Sequence, residues 1–295
     1  MGVAAAYELV GVPGGTFTMG SDRHYPEERP AHPVRVSGFQ IGATAVTNRH
    51  FAEFVAETDY RTTAEIPMDQ ADAPGMPREF FQAGSLVFQM RDAPVDLRDF
   101  RNWWQFVPGA SWRAPEGPGS DIDDRQDHPV VQVSLIDSLA YADWAGLDLP
   151  SEAEWELAAR DGVATEFPWG EELAPNGIAQ ANTWHGQFPW QNDRTENAPF
   201  TMHSRSFPAS RYGTFNMIGN VWEWTRDNYR ANHMQAGPFC TPASPKDGEN
   251  FVVKGGSFLC APSYCRRYRA TARSPQEVRS SASHLGFRCV RREVG

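Results

Sequence analysis

Two cysteines with reactive side chains lie close together near the end of the sequence. Cys260 and Cys265 have four residues between them, and a Gly255-Gly256-Ser257 turn precedes them. Pro262 stands between the two cysteines. Because proline lacks an N–H and has a fixed φ, it excludes a regular helix or a central strand here. The segment must therefore bend, and a bend of this length can bring the two sulfurs together.

Two neighbouring thiols have three uses in proteins. They form a disulfide, a reactive redox pair, or a site for a soft metal of low coordination number such as Cu(I). A structural zinc site fits poorly, because it needs four N or S ligands and the remaining cysteines, Cys240 and Cys289, are both single. Spacing alone leaves open a functional pair, a plain disulfide, or two unrelated buried thiols.

A second stretch carries oxygen donors at short, regular intervals. The side chains of Asn216 and Glu223 and the backbone carbonyls of Gly219 and Val221 recur at positions i, i+3, i+5 and i+7. Mixed oxygen ligands of this kind suit Ca²⁺, and a glycine eases the tight turn that they need. No EF-hand pattern is present, and from spacing alone a solvated turn is the better explanation of the stretch.

The elements that must position these residues begin with short strands. We predict two strands within residues 9–20, on either side of a Pro-Gly-Gly turn, and two more at 34–36 and 39–41. Residues 127–133 form an apolar run that we predict to be a buried strand. Residues 60–126 show almost no regular period, and their tryptophans indicate an ordered loop packed on the body of the domain.

Three helices are predicted from their capping residues. The first begins at Thr47 or Asn48, with Phe51, Phe54 and Val55 on one face. The second begins at Ser134 and ends at Gly146. The third begins with a capping box of Ser151 and Glu154 and stops at Gly162.

The composition limits the class of protein. The chain has 295 residues and a formal net charge of −10, which disfavours nucleic acid and anionic membranes as partners. It contains no apolar run of 18 residues, so no transmembrane helix is expected. The first residues lack the basic region and apolar core of a signal peptide, so we expect a cytoplasmic protein, most simply a monomer. The four cysteines are too few for a disulfide scaffold.

Several motifs resemble the formylglycine-generating enzymes, also called sulfatase-modifying factors. The resemblance includes the segment from Gly255 to Arg273 and the ending from Ser280 to Cys289. It also includes the Pro-Gly-Gly-x-Phe-x-Met-Gly opening and the Val-Thr-Asn helix start. The motifs occur in the family's order along almost the whole chain.

This resemblance implies a fold and an activity. The fold would be a single mixed α/β (α+β) domain, with its core at about residues 10–292, little regular secondary structure and a distant likeness to C-type lectins. The activity would be oxidation of a cysteine in a client polypeptide, typically a sulfatase, to Cα-formylglycine. The client cysteine would lie in a Cys-x-Pro-x-Arg-like motif, with O2 as co-substrate and a copper ion as cofactor.

The resemblance also implies roles for individual residues. Cys260 and Cys265 would be the catalytic copper ligands, and Ser257 would position the substrate cysteine or oxygen. Trp222 and Tyr264 would line the peptide cleft, and His284 stands where the family more often has a peptide-contacting Asn. Ala261-Pro262 replaces the His-Arg or His-Asp of many members, so the exact client consensus stays open.

Two calcium sites follow from the same resemblance. The first uses the four positions at Asn216, Gly219, Val221 and Glu223. The second site would comprise Asn182, Thr183, Glu196 and Ala198. Its usual Asp-Gly is replaced by Glu196-Asn197, which puts this second site in question.

Two other functions compete with this interpretation. An iron-dependent sulfoxide synthase of the same superfamily would need a three-histidine site, for which the eight scattered histidines show no pattern. A non-catalytic lectin-like binding module would not need the pair Cys260 and Cys265. For Cys240 and Cys289 we predict free thiols without a mutual disulfide.

Overall fold

The computed structural model describes residues 7–69, 75, 78–194, 200–235 and 245–292. These residues form a mixed α/β fold with few helices, as predicted. Three α-helices and eleven short strands alternate with long irregular connections. The helices are α1 (Asn48–Thr58), α2 (Leu135–Trp144) and α3 (Glu152–Arg160).

The strands fall into four small sheets. In chain order they are β1 (Leu9–Val12), β2 (Gly15–Met19), β3 (His32–Val36), β4 (Phe39–Gly42), β5 (Gly84–Phe88), β6 (Trp104–Pro108), β7 (Trp222–Asn228), β8 (Asn250–Lys254), β9 (Arg273–Glu277), β10 (Leu285–Phe287) and β11 (Val290–Arg292). The sheet orders are β1-β4-β11, β10-β7-β8-β9, β2-β3 and β5-β6. Short 3₁₀ turns lie between them at Pro26–Glu28, Thr63–Glu65, Arg78–Phe81, Phe100–Asn102, Pro175–Gly177 and His233–Gln235.

The predicted helix starts are confirmed. Thr47 caps α1, and its hydroxyl accepts a hydrogen bond from the backbone N–H of His50. Ser134 and Ser151 cap α2 and α3 in complete capping boxes. The third helix ends at Arg160, because Asp161 takes the left-handed conformation (φ 53°) one residue before the predicted stop. Within the described part of the chain, no helix is long and apolar enough to cross a membrane.

The prediction of a strand at residues 127–133 was wrong. The run is irregular, and only Pro129 makes a bridge, to Thr47. Gln132 has a φ of 61°, which breaks an extended chain. The expected burial of Val130 and Val133 is nevertheless correct, since neither side chain is exposed. An apolar run therefore indicated burial without indicating the backbone conformation.

The long irregular region contains a hairpin that the sequence analysis missed. Strands β5 and β6 pair antiparallel, with Leu86 opposite Phe106. They are joined by the excursion 89–103 instead of a short turn, so the usual hairpin signal is absent. The expectation that this region packs on the body is confirmed by Trp103 and Trp112, which are buried.

The four-stranded sheet carries the cysteine segment. Strands β8 and β9 pair antiparallel with Lys254 opposite Arg273, and the whole segment 255–272 is the connection between them. Glu223 of β7 lies opposite Lys254 on the other side. The chemistry-bearing loop is therefore attached at both ends to adjacent residues of one sheet.

Buried ion pairs hold the base of this loop. Arg273 donates two hydrogen bonds to Glu152 of α3 at 2.8 and 2.9 Å, and Lys254 Nζ lies 3.0 Å from Glu156. Burial alone would raise the pKa of Glu152, but the charges of Lys254 and Arg273 lower it to about 2. Glu152 therefore stays ionised, and the ion pairs tie both ends of the loop to one helix.

Candidate active site

Two glycines start the cysteine loop in a conformation that other residues avoid. Gly255 and Gly256 have φ values of 92° and 73°. A Cβ on Gly255 would lie 2.7 Å from the carbonyl oxygen of Met217, and one on Gly256 would lie 2.6 Å from that of Arg267. Only glycine fits both the backbone angles and the space, so this turn directs the following residues back over the sheet.

The loop brings the two cysteines together. The Sγ atoms of Cys260 and Cys265 lie 3.3 Å apart, and both cysteines are free thiols. The backbone N–H of Cys260 donates to Ser257 O at 3.0 Å, and that of Cys265 donates to Ala261 O at 2.9 Å. Cys260 is buried and Cys265 is half-buried. The predicted proximity is confirmed, and the structure has a thiol pair in place of a disulfide.

The pKa values of the two thiols are shifted in opposite directions. The pKa of Cys265 is lowered to about 6, first by a hydrogen bond from the Cys260 thiol and then by the positive charge of Arg267, and these effects outweigh burial. The pKa of Cys260 is raised well above its ordinary value, because the site is buried and Cys265 stands beside it. At neutral pH the pair therefore holds one proton. This proton is on Cys260, and Cys265 is a thiolate.

Ser257 shapes the turn below this pair. Its hydroxyl oxygen accepts a hydrogen bond from the N–H of Leu259 at 3.3 Å, and its side chain is buried. Its backbone amide lies against the sulfur of Cys260 and opposes the rise in that pKa. Ser257 thus orients the Cys260 turn, and its role toward a substrate stays a prediction.

Arg267 is a residue of this site to which the sequence analysis gave no role. Its guanidinium lies 4.0 Å from the ring centroid of Tyr25 and 2.6 Å from the carboxylate of Glu27. These partners stand 240 residues and more away in the sequence, so no local pattern could have revealed the contact. They hold the guanidinium beside Cys265, where its charge favours the thiolate.

Aromatic rings form a wall next to the cysteines. Tyr264 stacks on Phe188 with the ring centroids 4.7 Å apart and meets Trp103 edge-on at 5.2 Å. Phe258, Leu259 and other side chains of the loop pack into the same apolar cluster. Its buried members are Phe88, Trp103, Trp184, Phe188, Phe258, Leu259 and Ala261. The predicted cleft residue Tyr264 therefore lies on a rigid aromatic support and is 41% exposed.

The other two predicted cleft residues lie close together, since Trp222 begins β7 and His284 directly precedes β10, which pairs with β7. The backbone N–H of Trp222 donates to His284 O at 2.9 Å, and Trp222 is buried. The ring of His284 lies against Trp104 with centroids 4.7 Å apart. Its Nδ1 is buried without a hydrogen-bond partner, and burial lowers the pKa of this imidazole to about 3. His284 is therefore neutral, with a ring nitrogen left for a ligand.

The first predicted calcium site coincides with a small cavity. Asn216, Val221 and Glu223 line it, together with Ser204, whereas Gly219 belongs to the same turn but does not line it. The Oδ1 of Asn216 and the Oγ of Ser204 are both buried without a hydrogen-bond partner. Two unsatisfied buried oxygens at one cavity are what an oxygen-liganded cation would satisfy. Sequence analysis missed Ser204 because it stands outside the motif.

Glu223 has a structural task in addition to its predicted one. Its carboxylate accepts two hydrogen bonds from Arg288, at 2.6 and 2.7 Å, and one from the indole of Trp155 at 2.7 Å. A carboxylate has about four acceptor positions, so three are used and about one is left toward the cavity. Asn220 completes the turn, since its Oδ1 accepts hydrogen bonds from Asn182 and from the N–H of Met202.

The second predicted calcium site is only partly described. Asn182 and Thr183 are buried, and Asn182 Nδ2 donates to Asn220 Oδ1 at 3.0 Å. Glu196 and Ala198 lie outside the described residues, and so does Cys240. Cys289 is a buried free thiol, as predicted. Among the residues that the structure describes, no three His, Cys, Asp or Glu side chains form a metal-binding group.

Comparison with known proteins places these features in a family. Residues 3–293 match the model of the sulfatase-modifying factor enzyme 1-like domain. A formylglycine-generating enzyme of Mycobacterium tuberculosis is 49% identical over 292 residues, covering 96% of this chain and 97% of that protein. An inactive C-alpha-formylglycine-generating enzyme 2 of Mus musculus is 37% identical, covering 98% and 87%.

Among solved structures, PvdO from Pseudomonas aeruginosa shares the fold. The TM-score is 0.65 with 22% identity, and the alignment covers 96% of this chain and 93% of that one. At this identity the likeness concerns the fold alone. It supports the mixed α/β architecture with few helices described above.

Proposed function

The chain belongs to the sulfatase-modifying factor enzyme 1-like family, and from this we propose that it oxidises a cysteine of a client polypeptide to Cα-formylglycine. The observation that carries the proposal is the thiol pair. The sulfurs of Cys260 and Cys265 stand 3.3 Å apart at an aromatic wall, and one of them is half-buried. A binding module would have no need of such a pair, whose unequal pKa values favour chemistry.

The electron balance of the reaction defines what it consumes. Conversion of the client's CH2–SH group to an aldehyde removes two electrons from the carbon, and the sulfur leaves as hydrogen sulfide. We propose O2 as the oxidant, which takes four electrons when one oxygen atom enters the aldehyde and the other leaves as water. A thiol reductant must supply the remaining two electrons and is itself oxidised to a disulfide.

We propose Cu(I) as the cofactor, held by Cys260 and Cys265. The donor set fits, because both ligands are soft sulfurs and Cys265 is already a thiolate at neutral pH. When bound, the copper ion would supply the activation of O2. The protein's own share is to hold the sulfurs together and to keep Arg267 beside Cys265. Phe188, Trp103 and Tyr264 keep one side of the site apolar.

The client is best described as an extended segment with a Cys-x-Pro-x-Arg-like motif. Tyr264 offers an exposed aromatic face on which a proline ring can pack. His284 offers its unpartnered ring nitrogen, where an amide of the client can bind. We keep the monomer and the cytoplasmic location as proposals. The free thiols of Cys260, Cys265 and Cys289 support a reducing compartment.

We further propose Ca²⁺ as a structural ion at Asn216, Val221 and Glu223, with Ser204 as an added donor. The unsatisfied oxygens of Asn216 and Ser204 support this site. Gly219 has a φ of 74° and shapes the turn. The second site at Asn182 and Thr183 stays a prediction that depends on Glu196 and Ala198.

The test is an assay on a synthetic peptide that contains Cys-x-Pro-x-Arg. The enzyme is loaded with Cu(I) and incubated with peptide, O2 and a thiol reductant. The aldehyde product is then derivatised with a hydrazide and detected by mass spectrometry. We expect aldehyde formation with release of sulfide. A library of cysteine-centred peptides that yields no aldehyde, with copper bound and O2 present, would contradict the proposal.

A further inference from the structure

The excursion between β5 and β6, residues 89–103, lies over the aromatic cluster beside the cysteines. We call it the 89–103 loop. Its ends are joined, since the N–H of Gln89 donates to Trp103 O at 2.8 Å. Val95 and Leu97, two residues apart, pack against the cluster that contains Phe258. The loop is therefore a fixed part of the active-site rim, with an inner and an outer side.

Apolar side chains point outward from this rim. Phe100 is 59% exposed and Met90 is 44% exposed, and the neighbouring Tyr264 is 41% exposed. Among the described residues only seven large hydrophobic side chains are this exposed. Two of them belong to the 89–103 loop, and a third, Tyr264, contacts Trp103 of that loop. Large apolar groups gathered in one place on a surface indicate a binding site more often than scattered ones do.

Hydrogen bonds and ring contacts connect this patch to the catalytic pair. The N–H of Arg91, next to Met90, donates to Pro189 O at 3.0 Å, beside the Phe188 that stacks on Tyr264. The N–H of Trp103 donates to Phe100 O at 3.1 Å, and Trp103 contacts Tyr264. Since Tyr264 directly precedes Cys265, the patch is continuous with the reaction site.

The charges of the loop do not select a charged ligand. Asp96 is paired with Arg98 at 2.8 Å, and Asp99 with Arg101 at 2.7 Å. Arg91 and Asp92, the other charged residues of the loop, have opposite signs, so the loop carries no net charge. What the loop offers beyond these local pairs is apolar surface. An apolar side chain is therefore the ligand that gains most from it.

On the basis of the function proposed above, we propose that Met90, Phe100 and Tyr264 form a second subsite, which takes an apolar side chain of the client. Because Tyr264 directly precedes Cys265, we place the apolar residue on the segment of the client that flanks its cysteine. The subsite would raise affinity for clients that carry Leu, Ile or Phe there.

The test uses matched peptides with one Cys-x-Pro-x-Arg core. In one series Ser fills all flanking positions, and in the other a single Leu is moved along both flanks. We expect Leu at one position to lower KM three- to tenfold, with little effect on kcat. In Phe100→Ser and Met90→Ser enzymes, the ratio between the two peptides' kcat/KM values should fall to about 1. Ile178→Ser is the control, because Ile178 is 63% exposed outside this patch.

Binding is measured separately with fluorescent peptides whose cysteine is replaced by Ser. The same Leu position should lower Kd, and Phe100→Ser should abolish the gain. A peptide that binds with this preference but is never converted would refute the proposed oxidation and keep the subsite. If no Leu position helps, or the gain survives both substitutions, the subsite is refuted. It is equally refuted if sedimentation shows a dimer that Phe100→Ser dissociates, because the patch then binds a second copy of the chain.

Discussion

The two active-site cysteines have identical side chains and different surroundings. Cys260 is buried in the main hydrophobic core and donates its proton toward Cys265, whereas Cys265 faces Arg267. A buried thiolate without a cation would be costly, and the guanidinium reduces this cost. The proximity of the cysteines was predictable from their spacing around Pro262, but the source of the asymmetry was not, because Glu27 and Tyr25 come from the other end of the chain.

This asymmetry predicts the pH dependence of alkylation. In metal-free enzyme, iodoacetamide should modify Cys265 with a midpoint near pH 6, because its pKa is lowered to about 6 and the thiolate is the reactive form. The Cys260→Ala variant should shift this midpoint upward, since the main hydrogen bond to the thiolate is lost. Peptide mapping after alkylation measures both. A midpoint near that of free cysteine, about 8.5, would contradict the assignment.

At the scale of elements, the cysteine loop depends on ion pairs that no local pattern shows. Arg269 donates hydrogen bonds to both oxygens of Glu28, at 2.9 and 2.7 Å, with 3% and 0% of the side chains exposed. The sequence displays the arginines after Cys265 but gives no sign of their acidic partners. The partners come from the 3₁₀ turn Pro26–Glu28 and from α3. They anchor the loop to two other elements.

Removal of one partner should therefore destabilise the fold. We expect Arg269→Ala to cost about 3–5 kcal/mol of unfolding free energy, because Glu28 is left as an unpaired buried charge. Urea denaturation followed by tryptophan fluorescence gives this number. The control is Arg98→Ala, whose side chain is 90% exposed in its ion pair and whose loss should leave the midpoint unchanged. Equal effects of the two variants would show that the buried pair has no special role.

We propose that the calcium ion stabilises the loop between α3 and β7. The spacing of oxygen donors singled out Asn216, Gly219, Val221 and Glu223, and all of these except Gly219 line one cavity. What spacing could not show is that Glu223 also binds Arg288 and Trp155. A Glu223→Ala variant would leave Arg288 buried without its carboxylate partner. A loss of stability in that variant could therefore not be assigned to the ion alone.

The cleaner variant is Asn216→Gly. Asn216 has a φ of 49°, so glycine keeps the backbone conformation. It removes the side-chain oxygen together with the exposed hydrogen bond from Nδ2 to His203 O. A ligand at a hundred times its Kd stabilises the native state by about 2.7 kcal/mol. A chelator should therefore lower the Tm of the wild-type protein and not that of Asn216→Gly. Asn176→Gly, at φ 53°, is the control and should keep the sensitivity. A wild-type Tm that is unchanged by the chelator would contradict the proposed ion.

How far the elements could be predicted depended on whether their signals were local. Capping residues such as Thr47 and Ser151 identified all three helices, because a cap is made within four residues. The β5–β6 hairpin was missed because its strands are joined by the long 89–103 loop. The run at 127–133 was mistaken for a strand, since burial of Val130 and Val133 does not require an extended backbone.

At the scale of the whole molecule, net charge should affect the client's approach. A formal charge of −10 attracts a cationic peptide, and salt screens this field over a Debye length of about 10 Å at 0.1 M. We expect the KM of a Cys-x-Pro-x-Arg peptide to rise severalfold between low and high salt. Replacement of the peptide's Arg by Gln should raise KM more than it lowers kcat, because the contact is made in ground and transition states alike. Steady-state kinetics that are independent of salt would contradict this.

The central claim is that Cys260 and Cys265 together perform the oxidation. The most direct measurement is the rate of aldehyde formation from a Cys-x-Pro-x-Arg peptide by copper-loaded wild-type, Cys260→Ala, Cys265→Ala and Cys289→Ala enzymes. Cys289 is a buried free thiol outside the loop and serves as the matched control. We predict that each of the first two variants stays folded, loses tight Cu(I) binding and forms no aldehyde, whereas Cys289→Ala stays active. A Cys265→Ala enzyme that works at the wild-type rate would contradict the two-thiol site.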